Sequence, residues 1–378
     1  VNASRVLEIA QELIQFNSVS SQSNVAISQY VETHLQQLGF DVERVEYVDD
    51  NQMMKVNLVA RRGTGLGGIV YSGHTDVVPV DDWQSGPAAA FQPKIENDRL
   101  YGRGACDMKG SVAAALTAAE QIDEHKQKAP LYFIISADEE IGMVGARVVA
   151  NVSKTYREMV EGGTVAIVGE PTQFNVYYAH KGTLRISLRS HGKSAHSSSR
   201  EGINANQKLF SILPDLERLR LQSESDPSLA NSQFDPPTLS WNWVIRNEPF
   251  ASNITPSLAE LQIFLRPMPN VDHEQLANQI EQIAREADIE FHCGESNPPL
   301  DGNAESELVR RILKITRADV AKTACYATDG GVLQELSQIV VCGPGNIAQA
   351  HRNDEWIAID QLQRGVDVFK AAFEQYCY

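Results

Sequence analysis

The chain has 378 residues and a formal net charge of -16. At roughly 100–200 residues per domain, this length predicts two domains, and the apolar (42%) and charged (22%) fractions are those of a soluble globular protein. The acidic balance, with no basic run, argues against nucleic acid or an anionic membrane as partner, and no apolar run approaches the roughly 18 residues of a membrane-spanning helix.

Residues Val1 to Arg5 open an amphipathic helix and not a signal peptide. The five cysteines are odd in number and form no Cys-x-x-Cys. A disulfide framework is therefore not expected, and a reducing, cytoplasmic setting fits best. Cys106 reads as a small buried residue, since no His/Asn pair surrounds it.

Helical spacing of Val6, Ile9, Ala10, Leu13 and Ile14 predicts a helix from Ser4 to Phe16, and a second runs from about Asn24 to Leu38. Val42 to Val48, Asn57 to Ala60 and Ile69 to Ser72 read as strands, the last delivering His74 at its carboxyl end. Gly110 to Ile122 is an Ala-rich helix. Leu131 to Ser136 is an apolar strand ending at Asp138-Glu139-Glu140, and Val165 to Val168 is another ending at Glu170. The recurring order is buried strand, then acidic residue or His, then loop, and in open α/β sheets sites gather at the carboxyl ends of strands. Gly63-Thr64-Gly65-Leu66-Gly67-Gly68 matches G-x-G-x-x-G but opens no helix, so it reads as a hairpin loop. Asn151-Val152-Ser153 matches a glycosylation sequon with nothing to indicate secretion. Ser197-Ser198-Ser199 lacks a nucleophile elbow and reads as a polar loop.

The pattern changes after about Tyr178. A strand (Leu184 to Arg189), a helix (Gly202 to about Leu221), strands at Thr238 to Val244 and Ala259 to Leu265, a helix (Asp272 to Ala287) and a strand at Ile289 to Phe291 follow. That order is the ferredoxin-like unit, and it reads as an insertion into an α/β domain. The expected division is residues 1–178 with 297–378 for the first domain and 179–296 for the insert, with Glu295 to Asn303 as return linker.

Chemistry enters with five segments: Gly73-His74-Thr75-Asp76, Ala105-Cys106-Asp107-Met108-Lys109-Gly110, Asp138-Glu139-Glu140, Gly169-Glu170-Pro171-Thr172 and Gln349-Ala350-His351. Alone, each has a bland reading: a surface pair, a helix cap, an acidic turn, an exposed acid, a loop His. As a set they supply two imidazoles, three candidate ligand carboxylates and at least one spare carboxylate, the inventory of a two-metal hydrolase. His74 and Asp76 share a face of extended backbone, so the carboxylate is placed to accept the second imidazole N–H. Glu139 and Glu140 diverge, so one can ligate while the other acts as base. Mixed His and carboxylate donors fit zinc, with cobalt or manganese as substitutes.

At these residues the sequence resembles the di-zinc aminoacylase/carboxypeptidase metallopeptidase family along essentially its whole length. Leu100 to Gly110 is nearly the family signature, and Ala166 to Thr172, Ala179 to Gly182 and Gly343 to His351 are most similar to the acetylornithine deacetylase/succinyl-diaminopimelate desuccinylase subgroup. The resemblance implies a zinc-peptidase-like α/β catalytic domain with an inserted α+β ferredoxin-like lid and dimerisation domain. It implies two zinc ions, one on His74 and Glu170, the other on Glu140 and His351, with Asp107 bridging. Glu139 becomes the general base and Asp76 the support of His74. His196, in Gly192-Lys193-Ser194-Ala195-His196-Ser197, matches a lid His expected to reach the partner subunit's site in a homodimer. Asn253 and Arg266 match substrate-holding positions, and Arg266 suits a carboxylate. The implied reaction is removal of the acyl group from a small N-acyl-amino acid. Acetylornithine deacetylases usually carry Thr-Glu-Ala where this chain has Thr328-Asp329-Gly330-Gly331. Thr328 and Asp329 are thus candidate substrate contacts; the resemblance implies N-acetyl-L-ornithine first, with succinyl-diaminopimelate, another N-acyl-amino acid or a peptide as alternatives, and an inactive metal-binding dimer scaffold as the reading outside the enzymes. Gly86-Pro87-Ala88-Ala89-Ala90-Phe91 departs from a shorter Asp-Pro-Phe in relatives.

Overall fold

The computed structural model describes residues 3–83 and 87–378. Val1 and Asn2 of the expected first helix, and Gly86 of the departing loop, lie outside the described residues. The chain divides into two compact units. One comprises Val1–Ala179, Asp301–Lys322 and Thr328–Tyr378; the other His180–Leu300 and Thr323–Ala327.

The first unit is built on an eight-stranded mixed sheet. Its order is Asp41–Val48, Met54–Arg62, Leu131–Ser136, Ile69–His74, Val165–Val168, Gln338–Val341, Tyr177–His180, Lys322–Ala324. The four strands at its centre run parallel. Ile69–His74, Leu131–Ser136 and Val165–Val168 are buried at every residue, as strands covered on both faces must be, which is why they read as unbroken apolar runs. Parallel direction brings their carboxyl ends to one edge. His74 closes one of these strands at that edge, and the segments that leave the other three begin at Ala137, Gly169 and Cys342, the first two leading at once to candidate ligands. Helices Ala3–Gln15, Lys109–Glu120 and Ile359–Cys377 pack against one another, and the last two also against Ile69–His74.

Two expectations need correction. The Gly63 to Gly68 segment is not a hairpin loop, because Met54–Arg62 and Ile69–His74 both pair with Leu131–Ser136, which lies between them. The return linker is also shorter than expected. Glu290–Asn297 is a strand whose pairing with Thr183–His191 resumes after a bulge at Ser296 and Asn297, so main-chain pairing overrides the acidic, Pro-containing composition. Lys94–Glu96, Arg99–Tyr101 and Trp356–Ala358 form a three-stranded sheet that no sequence pattern announced.

In the second unit the strands lie in the order Ser240–Glu248, Leu258–Arg266, Thr183–His191, Glu290–Asn297, all antiparallel. With helices Asn206–Ser225 and Glu274–Glu286, this is the ferredoxin-like arrangement. Its own core includes Ile186, Leu188, Leu209, Leu216, Leu261 and Ile280.

Phe133 occupies the middle of the first unit's sheet, its ring 5.4, 5.6 and 6.0 Å from those of Phe40, Tyr71 and Phe373. Phe133→Ala should cost about 3–5 kcal/mol. The check is a fall in the urea midpoint of the first unit's unfolding; an unchanged midpoint would contradict the packing described.

Candidate metal centre

Each candidate ligand is delivered by a different strand end or loop. His74 closes strand Ile69–His74, and Asp107 lies two residues before helix Lys109–Glu120. Glu140 follows strand Leu131–Ser136 through Asp138, which sits in the left-handed region at φ 55. Glu170 follows Val165–Val168, and His351 lies just past the short turn Ile347–Gln349 at φ 63. A left-handed conformation at a residue other than Gly is uncommon and is retained where surrounding contacts hold it.

These five residues form two donor groups. His74, Asp107 and Glu170 present ligand atoms within 4.8 Å of one another, and so do Asp107, Glu140 and His351. Asp107 is common to both, one oxygen for each side: Oδ1 is 3.2 Å from His74 Nε2, and Oδ2 is 3.4 Å from His351 Nε2. His351 Nε2 is 3.0 Å from Glu140 Oε2, and His74 Nε2 is 3.9 Å from Glu170 Oε1. Among the described residues, imidazoles are the cations that the structure pairs with Asp107, Glu140 and Glu170.

Charge is therefore out of balance. Burial, then the neighbouring carboxylates, push Glu139 and Glu170 well above the usual carboxylate range, and Glu140 rises for the same reasons. Against burial, hydrogen bonds from His351 and His74 hold Asp107 low. Hydrogen bonds to Asp107 and Glu140 push His351 up to about 10. Buried like charges persist where a cation neutralises them. Nitrogen and oxygen donors in two facing groups sharing one carboxylate fit a pair of divalent metal ions.

A supporting layer fixes the donors, and sequence reading found little of it. Asp76 was expected to hold His74, yet its main-chain carbonyl is the nearer acceptor, 3.0 Å from Nδ1, with the carboxylate at 3.5 Å. The Asp76 carboxylate also accepts the amides of Glu139 (3.1 Å) and Glu140 (3.2 Å) and the Ser20 hydroxyl (2.7 Å). The buried Lys55 donates to Asp138 at 2.6 Å, and the Tyr47 hydroxyl donates to its other oxygen at 2.7 Å. Glu355 receives the amides of Cys106 and Asp107. These partners lie far apart along the chain and share no local spacing that would have revealed them.

The profile of peptidase family M20/M25/M40 matches residues 70–375. The chain belongs to this family. It is 30% identical over 384 residues to an acetylornithine deacetylase of Aliivibrio fischeri, with 97% of both chains covered. It is 31% identical to one of Vibrio cholerae, covering 98% of both. An M20 metallo-carboxypeptidase from Sulfolobus solfataricus superposes with a TM-score of 0.79 at 18% identity, covering 98% of this chain and 99% of that one. As a peptidase-family chain with deacetylase relatives, this protein is a hydrolase of amide bonds.

The remaining candidate residues of this M20 chain fall in two places. His196, Asn253 and Arg266 lie in the second unit. There the Ser197 amide donates to the Asn253 carbonyl at 3.0 Å, His196 pairs with Ile254 across a bridge, and its Nδ1 is 2.7 Å from Ser198 Oγ. Arg266 ends strand Leu258–Arg266 with its guanidinium 4.8 Å from the Phe264 ring centre. Thr328 and Asp329 lie in the first unit and are buried. Thr328 Oγ1 accepts the Gly330 amide, and Asp329 Oδ2 accepts the Ser136 hydroxyl at 2.6 Å. Among the described residues Asp329 Oδ1 has no hydrogen-bond partner, and burial pushes this carboxyl up to about 6.

The raised His351 has a pH signature in metal-free protein. A His whose folded pKa exceeds its unfolded value of 6.5 contributes stability that is complete below about 6.5 and lost as pH rises through about 10. The stability difference between wild type and His351→Asn should therefore shrink across that interval, measured by urea unfolding in chelator. A difference independent of pH would contradict the contacts assigned to His351.

Proposed function

We propose that this chain is a metal-dependent amidohydrolase that removes the acyl group from N-acyl-amino acids, with N-acetyl-L-ornithine as substrate and ornithine and acetate as products, a step of arginine biosynthesis. The observation that carries the reaction class is the pair of donor groups sharing Asp107, with Glu139 one residue from Glu140. The substrate rests on relatives named acetylornithine deacetylase that match over nearly the full length of both chains.

His74 and Glu170 would hold one ion, Glu140 and His351 the other, and Asp107 both. Zinc suits this donor set best, with cobalt or manganese able to replace it. When bound, such a pair polarises the acyl carbonyl and acidifies the attacking water. Glu139 takes the proton from that water and returns it to the leaving amine. Asp76 keeps Glu139 and Glu140 diverging by holding both their amides.

Within the same reading, Arg266 takes the substrate carboxylate in a bidentate pair, Asn253 holds the acyl-amino acid, and His196 helps stabilise the oxyanion. Thr328 and Asp329 meet the substrate's distal end, where an ammonium would satisfy the unpartnered Asp329 Oδ1. The second unit serves as lid and homodimer surface. In support, its edge strand Ser240–Glu248 carries the exposed Val244 and Ile245. A cytoplasmic location fits five free cysteines.

Amine release from N-acetyl-L-ornithine by zinc-loaded protein, against a chelated control, tests this reading. Fast, metal-dependent release is expected. Release only from N-succinyl or dipeptide substrates would retain the reaction class and overturn the substrate. Glu139→Ala should lower kcat by about 10²–10⁴-fold while both metal equivalents remain bound; retention of full activity would remove Glu139 from the mechanism.

A further inference from the structure

Glu355 is 1% exposed, and both of its carboxylate oxygens are engaged. Oε1 accepts the amides of Cys106 at 2.8 Å and Asp107 at 3.0 Å. Oε2 accepts the Gly104 amide at 3.1 Å and the Arg103 guanidinium at 2.8 Å, and Arg103 is itself 3% exposed. The segment from Arg103 to Asp107 thus wraps around a single carboxylate. The wrap requires a turn, which Gly104 supplies at φ 81.

The small three-stranded sheet explains how Glu355 comes to be there. Trp356 pairs with Tyr101 and Ala358 with Arg99, while the Gly102 amide donates to the Glu355 carbonyl at 3.1 Å. Register alone therefore sets the Glu355 side chain against residues 103–107. The same short segment carries His351, four residues earlier. One stretch of chain delivers a donor to one group and anchors the donor that both groups share.

We propose that Glu355 is a positioning residue for metal binding: it fixes the main chain at Asp107 so that the two carboxylate oxygens face the two donor groups, and it couples that placement to the His351 segment. This rests on the metal reading of the site above. Glu355 does not touch the donor atoms. Its effect passes through the backbone amides of Cys106 and Asp107, as partners behind a ligand orient that ligand and tune its affinity. A carboxylate is required there because all four partners are donors. An amide would present its own N–H groups to some of them.

The test is cobalt(II) titration of the metal-stripped full-length chain, followed by visible absorption and calorimetry. The variants are Glu355→Gln, which keeps the shape, and Glu355→Asp, which keeps the charge but cannot reach all four donors. Wild type should bind two equivalents. Glu355→Gln should bind them about 10–100-fold more weakly, and Glu355→Asp should shift in the same direction by less. Both should keep the wild-type circular dichroism. In the loaded enzymes kcat should fall while KM stays. Should Glu355→Gln not fold, Glu355→Asp carries the test. A folded variant that binds both equivalents as tightly as wild type overturns the proposal and leaves Glu355 a purely structural residue, whatever its thermal stability. Wild type that binds fewer than two equivalents overturns the metal reading itself, and the proposal with it.

Discussion

The constraint on which the rest of this molecule depends is the burial of like charge around Asp107. Asp107, Glu140 and Glu170 converge with Glu139 beside them, and two imidazoles are too few to neutralise them. Removing carboxylates from water is costly, and mutual repulsion adds to the cost. A fold holds such a cluster only if the backbone leaves it no other arrangement and if a cation shares the site. The first condition is met by the supporting layer, and the second is the reason for reading the cluster as a metal centre.

The supporting layer works through main-chain amides more than through ligand side chains. Asp76 holds the amides of Glu139 and Glu140, and Glu355 holds those of Gly104, Cys106 and Asp107. Lys55, wholly buried, pins Asp138 at the turn between them. Each anchor is charged and buried, and each is paired or fully hydrogen-bonded, the condition under which buried charge is tolerated. Parallel strands bring the candidate ligands His74, Glu140 and Glu170 to one edge, and these anchors hold the main chain around the donor groups.

Much of the coarse design was legible in the sequence. Ile69 to Ser72, Leu131 to Ser136 and Val165 to Val168 are short apolar runs with acids or His at their ends, and buried parallel strands produce that pattern directly. The ferredoxin-like order was legible because its strands and helices are long enough to show periodicity. What escaped is non-local. Which strands flank Leu131–Ser136 depends on pairing across the sheet, so the Gly63 to Gly68 loop was misread. Three-residue strands such as Trp356–Ala358 have no periodicity to detect. Glu355 had no local signal at all, since its partners lie about 250 residues away. Spacing placed the Asp76 carboxylate beside His74, 3.5 Å from its Nδ1, but gave no sign that it also holds the amides of Glu139 and Glu140.

The central claim is that one carboxylate, Asp107, is shared by two metal ions. Anomalous diffraction from crystals grown with zinc tests it most directly. Two peaks about 3.5–4 Å apart, one beside His74 and Glu170 and the other beside Glu140 and His351, with Asp107 between them, are the result this account predicts. A single ion, or ions bound away from Asp107, would contradict it.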